Sequence, residues 1–395
     1  MFGIHNAVLV RNLANACNIA VISPRPAIGS FLARRGTPGA SPCPPDAGLA
    51  VEFPRVPYVP KLGSAVNHRL FAHWLQPCFR AACHTFSPDV VLAAWTYPDG
   101  CAAVRLCSPL GLACVVVAQG TDVHDYLHRR VRRGIILSHL RRADAVVTRS
   151  ESLRQHLLGA GLGEDHVHTI YNGVDADTFR PLTGSSREAL RQSLGLPPDA
   201  KIILFVGNLV PVKNPMLAFE AFQRLRSSWS CGPLHMVMLG DGPLRAKLES
   251  AVRRAGAPTW ISLPGRCPQH TVARYMQAAD ALCVSSRNEG APNVVREAAA
   301  CGLPTAATAV GGIPELITDP SVGELAESET GVDLASALSR VLTRHSRQPP
   351  ARTAPVGASW ANTVRRYLDL FRHVCSQRPV VPTQHGTGTG ARPSP

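Results

Sequence analysis

The stretch Phe205-Val206-Gly207-Asn208-Leu209-Val210-Pro211-Val212-Lys213-Asn214-Pro215 holds a short apolar run, a glycine, a lone lysine and an Asn-Pro pair. Apolar β-branched residues that stop at a glycine and resume after a proline read as a strand, a tight turn and the start of a helix. The same alternation continues outward. Residues 202–206, 235–239, 260–263, 281–285 and 304–308 have strand composition, and residues 215–226, 244–255, 271–279 and 293–300 have helical composition. Short apolar strands separated by helices predict a parallel sheet covered on both faces.

Upstream, strands are expected at 18–23, 89–94, 113–118, 145–148 and 167–171, with helices near 65–85, 99–108, 125–142 and 152–159. Residues 25–60 are rich in Pro and Gly and read as an irregular loop. A polar break at 175–186 separates the two series. The fold class predicted is α/β: two doubly wound Rossmann-like domains facing across a cleft, where a site is expected. The divisions are 1–178, 179–356, an amphipathic helix over 357–375 that packs back on the first domain, and a Pro/Gly/Thr-rich disordered tail over 376–395. Phe2-Gly3-Ile4-His5 leads straight into a helix-like segment ending at Ala16 and the first clear strand is 18–23, so the first strand of a doubly wound domain is expected to be missing.

Composition narrows the function classes. The chain has 395 residues, 45% of them apolar, enough for two cores. It contains no run of about 18 uncharged apolar residues and no basic leader, so neither a transmembrane helix nor a signal peptide is expected. The formal charge is +14, almost all arginine, since only Lys61, Lys201, Lys213 and Lys247 are lysines. Such a surface attracts phosphorylated substrates, anionic lipid or nucleic acid. No helix-turn-helix, zinc finger or aromatic-interleaved basic strand supports a nucleic-acid partner. Twelve cysteines without Cys-x-x-Cys or a His/Cys ligand spacing predict reduced core thiols, Cys114 and Cys283 among them, and a cytoplasmic location.

A second stretch carries chemistry. Asn288-Glu289-Gly290-Ala291-Pro292-Asn293-Val294-Val295-Arg296-Glu297 places Glu289 in a loop and Glu297 one turn inside the helix that follows. The helix N-terminus between them has free N–H groups and the positive end of a dipole. An anion flanked by two hydroxyl-seeking carboxylates suits a sugar diphosphate; the plainer alternative is an acidic loop before a solvated helix. Lys213 can place a point charge on a phosphate beside the Gly207 turn, or be a solvated lysine. Gly240-Asp241-Gly242-Pro243 and Gly311-Gly312-Ile313-Pro314-Glu315 add two glycine turns at the same edge of the sheet.

In order, VGNLVPVKNP, GDGP, NEGAPNVVREAAACGLPTAAT and VGGIPE, with TIYNGVDADTFRP upstream, resemble the family-4 retaining glycosyltransferases of the GT-B fold. The resemblance covers residues 90 to 320 well. It implies that Lys213 neutralises a nucleotide diphosphate, Glu289 accepts hydrogen bonds from the donor sugar, and Glu297 accepts them from the ribose. The backbones of Asn293 and Val294 would face the sugar and phosphate, with Gly207, Asn208, Gly240, Asp241 and Gly290 completing the donor site. Relatives often carry arginine where Asn208 stands, so one phosphate cation is replaced by an amide. No cofactor is implied, the nucleotide sugar being substrate, and no metal: Lys213 and the helix N-terminus can carry leaving-group charge. Asp175-Ala176-Asp177 is read as structural.

In the first half, Gln119-Gly120-Thr121-Asp122 resembles the family's Gly-Thr/Ser-Asp loop. Asp122 is either a group that touches donor or acceptor, or a helix cap. Asp99, in Tyr97-Pro98-Asp99-Gly100, either binds an acceptor hydroxyl or caps a helix. His124, His128 and His139 read as surface residues. The basic run 127–133 with Arg141 and Arg142 is either a solvated face or a docking site for anionic lipid at the inner face of the plasma membrane, suited to a lipid-linked acceptor. The function expected is retaining transfer of a hexose-type sugar to a glycan or lipid-linked acceptor in exopolysaccharide or cell-envelope synthesis. The rivals are a nucleotide-sugar isomerase on the same fold and an impaired, non-catalytic relative. A dehydrogenase is disfavoured, as no Gly-x-Gly-x-x-Gly follows a strand.

Overall fold

The computed structural model describes residues 4–27, 49–60, 62–182, 186–256, 259–347 and 359–378. The described chain begins in helix α1 (Ile4–Ala14), followed by β1 (Ala20–Ile22). Within the stretch expected to be irregular lie three short strands, β2 (Arg25–Pro26), β3 (Ala50–Glu52) and β4 (Arg55–Val56). They pair in parallel, β1 with β3 and β2 with β4, so this region is more regular than its proline content suggests. Residues 28–48 of that expected loop lie outside the described residues, as does the tail beyond residue 378.

Helix α2 (Asn67–Phe86) leads to β5 (Val90–Ala93), α3 (Cys101–Cys107) and β6 (Ala113–Ala118). The helix expected over 125–142 is shorter, α5 (Arg130–Leu140), and a brief α4 (Thr121–His124) precedes the expected span. Arg129 between them has an extended backbone, which breaks the helical path. Then come β7 (Ala145–Thr148), α6 (Glu151–Gly159) and β8 (Val167–Thr169). Strands β5-β6-β7-β8 form a parallel four-stranded sheet in that order. The β1–β3 pair is not hydrogen-bonded to it, yet Ile19 and Ile22 pack into the same two apolar layers as β5.

The second half contains α7 (Arg187–Ser193), β9 (Lys201–Val206), α8 (Pro215–Ser228), β10 (Leu234–Leu239), α9 (Arg245–Arg254) and β11 (Ile261–Gly265). It continues through α10 (Gln269–Ala278), β12 (Ala281–Val284), α11 (Asn293–Ala300), β13 (Thr305–Thr308), β14 (Gly323–Ala326) and α12 (Gly331–Arg347). The sheet order is β11-β10-β9-β12-β13-β14, all parallel. Helices α8, α9 and α12 cover one face through Phe222, Leu248 and Leu338; α7, α10 and α11 cover the other through Leu190, Met276 and Val295. The order reverses direction between β9 and β12, and the crevice outside the carboxyl ends of those two strands is where such a sheet binds ligands.

The last helix, α13 (Trp360–Ser376), is capped by the Ser359 hydroxyl, which accepts from the Asn362 N–H. Its Val364, Tyr367, Leu370 and Val374 pack with Leu9 and Leu13 of α1 on the β6–β7 face of the first half. The last described helix therefore packs on the domain that holds the first.

Candidate functional site

The Gly207 turn after β9 is built on the Gly240 turn after β10. The Gly207 N–H donates to the Leu239 carbonyl at 3.0 Å, and the Leu209 N–H to the Asp241 carbonyl at 3.0 Å. Gly240 has φ of +138°, and a Cβ there would lie 1.9 Å from the Gly207 carbonyl oxygen. Two backbones thus touch where any side chain would part them. The Asp241 carboxylate accepts from its neighbour's Gly242 N–H at 2.8 Å and, like Asn208, stands exposed at the rim.

Lys213 ends this turn, and β12 delivers its partner. The Ser285 hydroxyl donates to the carbonyls of Lys213 (3.0 Å) and Asn214 (2.9 Å), and the Arg287 N–H donates to the Val212 carbonyl at 2.8 Å. These bonds hold the loop after β12 against the loop after β9. Across that seam the Lys213 ammonium pairs directly with Glu289 Oε1. Ser286 donates to the same oxygen at 2.6 Å. Glu289 is buried while Lys213 keeps about a third of its side chain exposed, so the pair sits at the floor of the crevice with its cation toward the opening.

Helix α11 starts at Asn293, Pro292 occupying its cap position, and Val294 follows in its first turn. Glu297 lies one turn inside. Burial raises its carboxyl from 4.5 to about 7, only partly offset by the Arg296 charge. A half-neutral carboxyl can both accept from and donate to a hydroxyl. Lys213, Glu289, Asn293 and Glu297, spread over 85 positions of sequence, are thus carried by the loops and helix at one sheet edge.

The first half meets this edge through Gln119 and Gly120. A Cβ on Gly290 would lie 2.4 Å from the Gln119 carbonyl oxygen, and one on Gly120 would lie 3.2 Å from Gly290. The Gln119 side-chain amide donates to Asn6 Oδ1 at 3.0 Å and to the Ala94 carbonyl at 2.9 Å. Asp122 does not present its carboxylate to the cleft. It is fully buried; Oδ1 accepts from the Gln119 and Gly120 N–H groups (2.9 and 2.8 Å) and Oδ2 from the Thr96 N–H (3.0 Å). Of its two sequence readings, the helix cap does not fit, since α4 follows Gly120 with no side-chain cap bond; the carboxylate instead shapes the turn that Gly290 rests on. Asp99 is half-buried in the turn Thr96–Gly100, its carboxyl raised from 3.8 to about 6 by burial and by the nearby Asp122 charge.

One expectation is met and another shifts. Asp175 spends its carboxylate on its own turn, accepting from the Asp177 and Thr178 N–H groups and the Thr178 hydroxyl. His128 is exposed, but His139 is buried, its ring 5.2 Å from that of His68. His139 shares the buried face of α5 with Arg132, Ile136 and Leu140, so its ring turns inward. His68 is lowered to about 4, first by burial and then by the charge of His139. Arg132 is also buried, with its guanidinium 4.5 Å from the Tyr126 ring centre and 5.5 Å from that of Tyr97. His68 Nδ1, His139 Nε2 and Arg132 Nε are buried without a hydrogen-bond partner. Ser286 and this cluster were missed by sequence reasoning. Ser286 had a signal, a hydroxyl three residues before Glu289 at a strand end; the cluster, drawn from three separate helices and turns, had none.

Comparisons with known proteins agree with this geometry. Residues 186–354 match the family described as Glycosyl transferases group 1, and residues 3–178 match Glycosyltransferase Family 4. A D-inositol 3-phosphate glycosyltransferase of Xylanimonas cellulosilytica is 30% identical over 251 residues, 60% of this chain and 58% of the relative. One of Frankia alni is 35% identical over 228 residues, 55% of each chain. The chain thus spans little more than half the length of the curated relatives it matches. Among solved structures, HepE of Anabaena in complex with UDP and glucose superposes with a TM-score of 0.69 at 16% identity, covering 92% of this chain and 95% of that one. Sucrose-phosphate synthase of Thermosynechococcus elongatus gives 0.62 at 19% identity, covering 93% and 95%. Both share the fold of two Rossmann-like domains.

Proposed function

Because the chain belongs to the family-4 glycosyltransferases of the GT-B fold, we propose that it transfers a hexose-type sugar, with retention, from a nucleotide diphosphate sugar to an acceptor hydroxyl. The observation that carries this reading is the Lys213–Glu289 pair at the point where the second sheet reverses direction. A diphosphate suits the ammonium, sugar hydroxyls suit the carboxylate, and Glu297 stands where a ribose would follow along α11. HepE, solved with UDP and glucose, supports a donor of this class.

Chemistry here rests on charge and position. Lys213 and the N-terminus of α11 stabilise the leaving diphosphate, so the reaction is read as metal-independent and free of a cofactor. The departing phosphate takes the proton of the incoming hydroxyl on the same face of the sugar, which preserves configuration. Asp99, whose carboxyl is raised by burial, is our candidate for the group that holds that hydroxyl.

For the acceptor, two observations bear on the choice. The relatives named D-inositol 3-phosphate glycosyltransferases favour a phosphorylated polyol. Exposed Trp74 on α2 and Val131 among the arginines of α5 favour a glycan or lipid-linked acceptor met at an anionic membrane on its cytoplasmic side, as in cell-envelope synthesis. No helix among the described residues is long and apolar enough to cross a membrane, so such contact would be peripheral.

A thermal-shift panel of nucleotide sugars tests the donor, and Glu289→Ala tests the site. Turnover in that variant should fall by about a hundredfold or more. Unchanged turnover would overturn the assignment.

A further inference from the structure

Glu315 has no role in the chemistry above, yet its side chain crosses from one half of the molecule to the other. Its carboxylate accepts from the Glu151 N–H at 2.8 Å and from the Ser152 N–H at 2.6 Å. Both are first-turn amides of α6, which have no partner within their own helix. The third, on Leu153, is taken by the Ser150 hydroxyl at 3.2 Å. Glu151's own carboxylate is occupied elsewhere, by Arg154, Gln155 and Thr169. A third donor reaches Glu315 from the linker between the halves, the Tyr171 hydroxyl at 2.5 Å.

This contact is mechanically continuous with the donor site. Glu315 follows Gly311 and Gly312. A Cβ on Gly311 would lie 1.8 Å from the Glu289 carbonyl oxygen; one on Gly312 would lie 2.2 Å from the Gly290 carbonyl oxygen and 2.8 Å from the Ser150 Cβ. The Gly312 N–H donates to the Glu289 carbonyl at 3.2 Å. Moving α6 against the second half therefore strains the backbone that carries Glu289. Beside it, the Asn172 amide reaches Asn293 Oδ1 at 3.2 Å, at the start of α11.

We propose that Glu315 is a positioning residue: by capping α6 from the opposite domain, it sets the angle at which the acceptor half meets the Lys213–Glu289 site. The effect on turnover rests on the transfer reaction proposed above; the effect on domain geometry does not.

The test compares wild type, Glu315→Gln and Tyr171→Phe by small-angle scattering without ligand, by UDP titration, and by UDP release from UDP-glucose. Glutamine offers one oxygen where two amides need acceptors and points an N–H at the other. Glu315→Gln should enlarge the radius of gyration and lower turnover about a hundredfold, the scale of an ångström of misplacement, with UDP affinity within about twofold of wild type. Tyr171→Phe, which leaves both amide contacts, should lie between and keeps the test open if the glutamine variant does not fold. Unchanged scattering in both variants would overturn the proposal. So would a loss of UDP affinity equal to the loss of turnover, which marks a merely structural residue. Wild-type protein that binds no UDP would refute the donor reading alone, and the scattering comparison would still decide the role of Glu315.

Discussion

The two halves of this molecule are built on the same plan and finished differently. The second half is one uninterrupted six-stranded sheet with helices closing both faces. The first half is divided into a four-stranded sheet and two short strand pairs. Among the described residues, Phe53, Val59, Val66, Trp74, Phe86, Leu110 and Val131 of the first half are exposed large apolar side chains; the second half exposes only Val212 and Val332. A closed half can hold one small ligand in fixed geometry. An open half with exposed apolar side chains is suited to a larger partner. The difference therefore matches a division of labour between donor and acceptor.

The largest effect that would break this contrast is expected at Gly240. Alanine there places a methyl against the Gly207 carbonyl and forces a left-handed backbone on a residue that resists it. A loss of about 3 kcal/mol in stability, together with the UDP-induced thermal shift, is expected. A Gly240→Ala protein that binds UDP normally would show that the donor half is not rigid.

Next comes the pH dependence of Glu297. Its folded carboxyl titrates near 7 against an ordinary 4.5, so the folded state holds a proton that the unfolded state has released. Stability is thus progressively lost as pH rises from about 4.5 through 7. Glu297→Gln removes this term, so its melting temperature should gain on wild type between pH 5 and pH 8. A constant difference across that range would refute the raised carboxyl.

A smaller effect is expected on the acceptor half. Cosedimentation with phosphatidylglycerol vesicles should exceed that with phosphatidylcholine and fall with salt, and Trp74→Ala should weaken it without altering the UDP shift. Equal binding to both vesicles would leave the open face without an anionic partner. The smallest change is Gly134→Ala, at a helical position with nothing within 4 Å of the added carbon. It should stabilise by about 0.5–1 kcal/mol, read as a modest rise in melting temperature.

The same contrast decides what was legible in the sequence. In the second half, each site element lies next to a glycine turn at a strand end, so Lys213, Glu289 and Glu297 could be read from local pattern. Their spacing along the chain translates into one sheet edge because the strand order follows from parallel crossovers. In the first half the pattern was weaker. Asp122 offered two readings, and its three backbone donors, none of them on the helix that it opens, reveal a turn-shaping role that neither reading named. His139 and Arg132 lie on the same buried face of α5 as Ile136, where their polar residue types gave no sign of burial. Glu315 was visible as part of a motif, but its partners lie on α6 and on the linker, more than 140 positions away, and no local pattern announces such a contact.

The Lys213–Glu289 pair has a consequence for turnover. Without ligand the two charges neutralise each other, so the crevice rests in a balanced state. An intact nucleotide sugar can part them evenly, phosphate to the lysine and hydroxyls to the carboxylate. Once the sugar has been passed on, the remaining nucleotide satisfies only the lysine, and Glu289 again competes for that ammonium from its buried place beside Ser286. In the proposed reaction, the step that empties the sugar subsite also supplies the rival that pushes the spent nucleotide out.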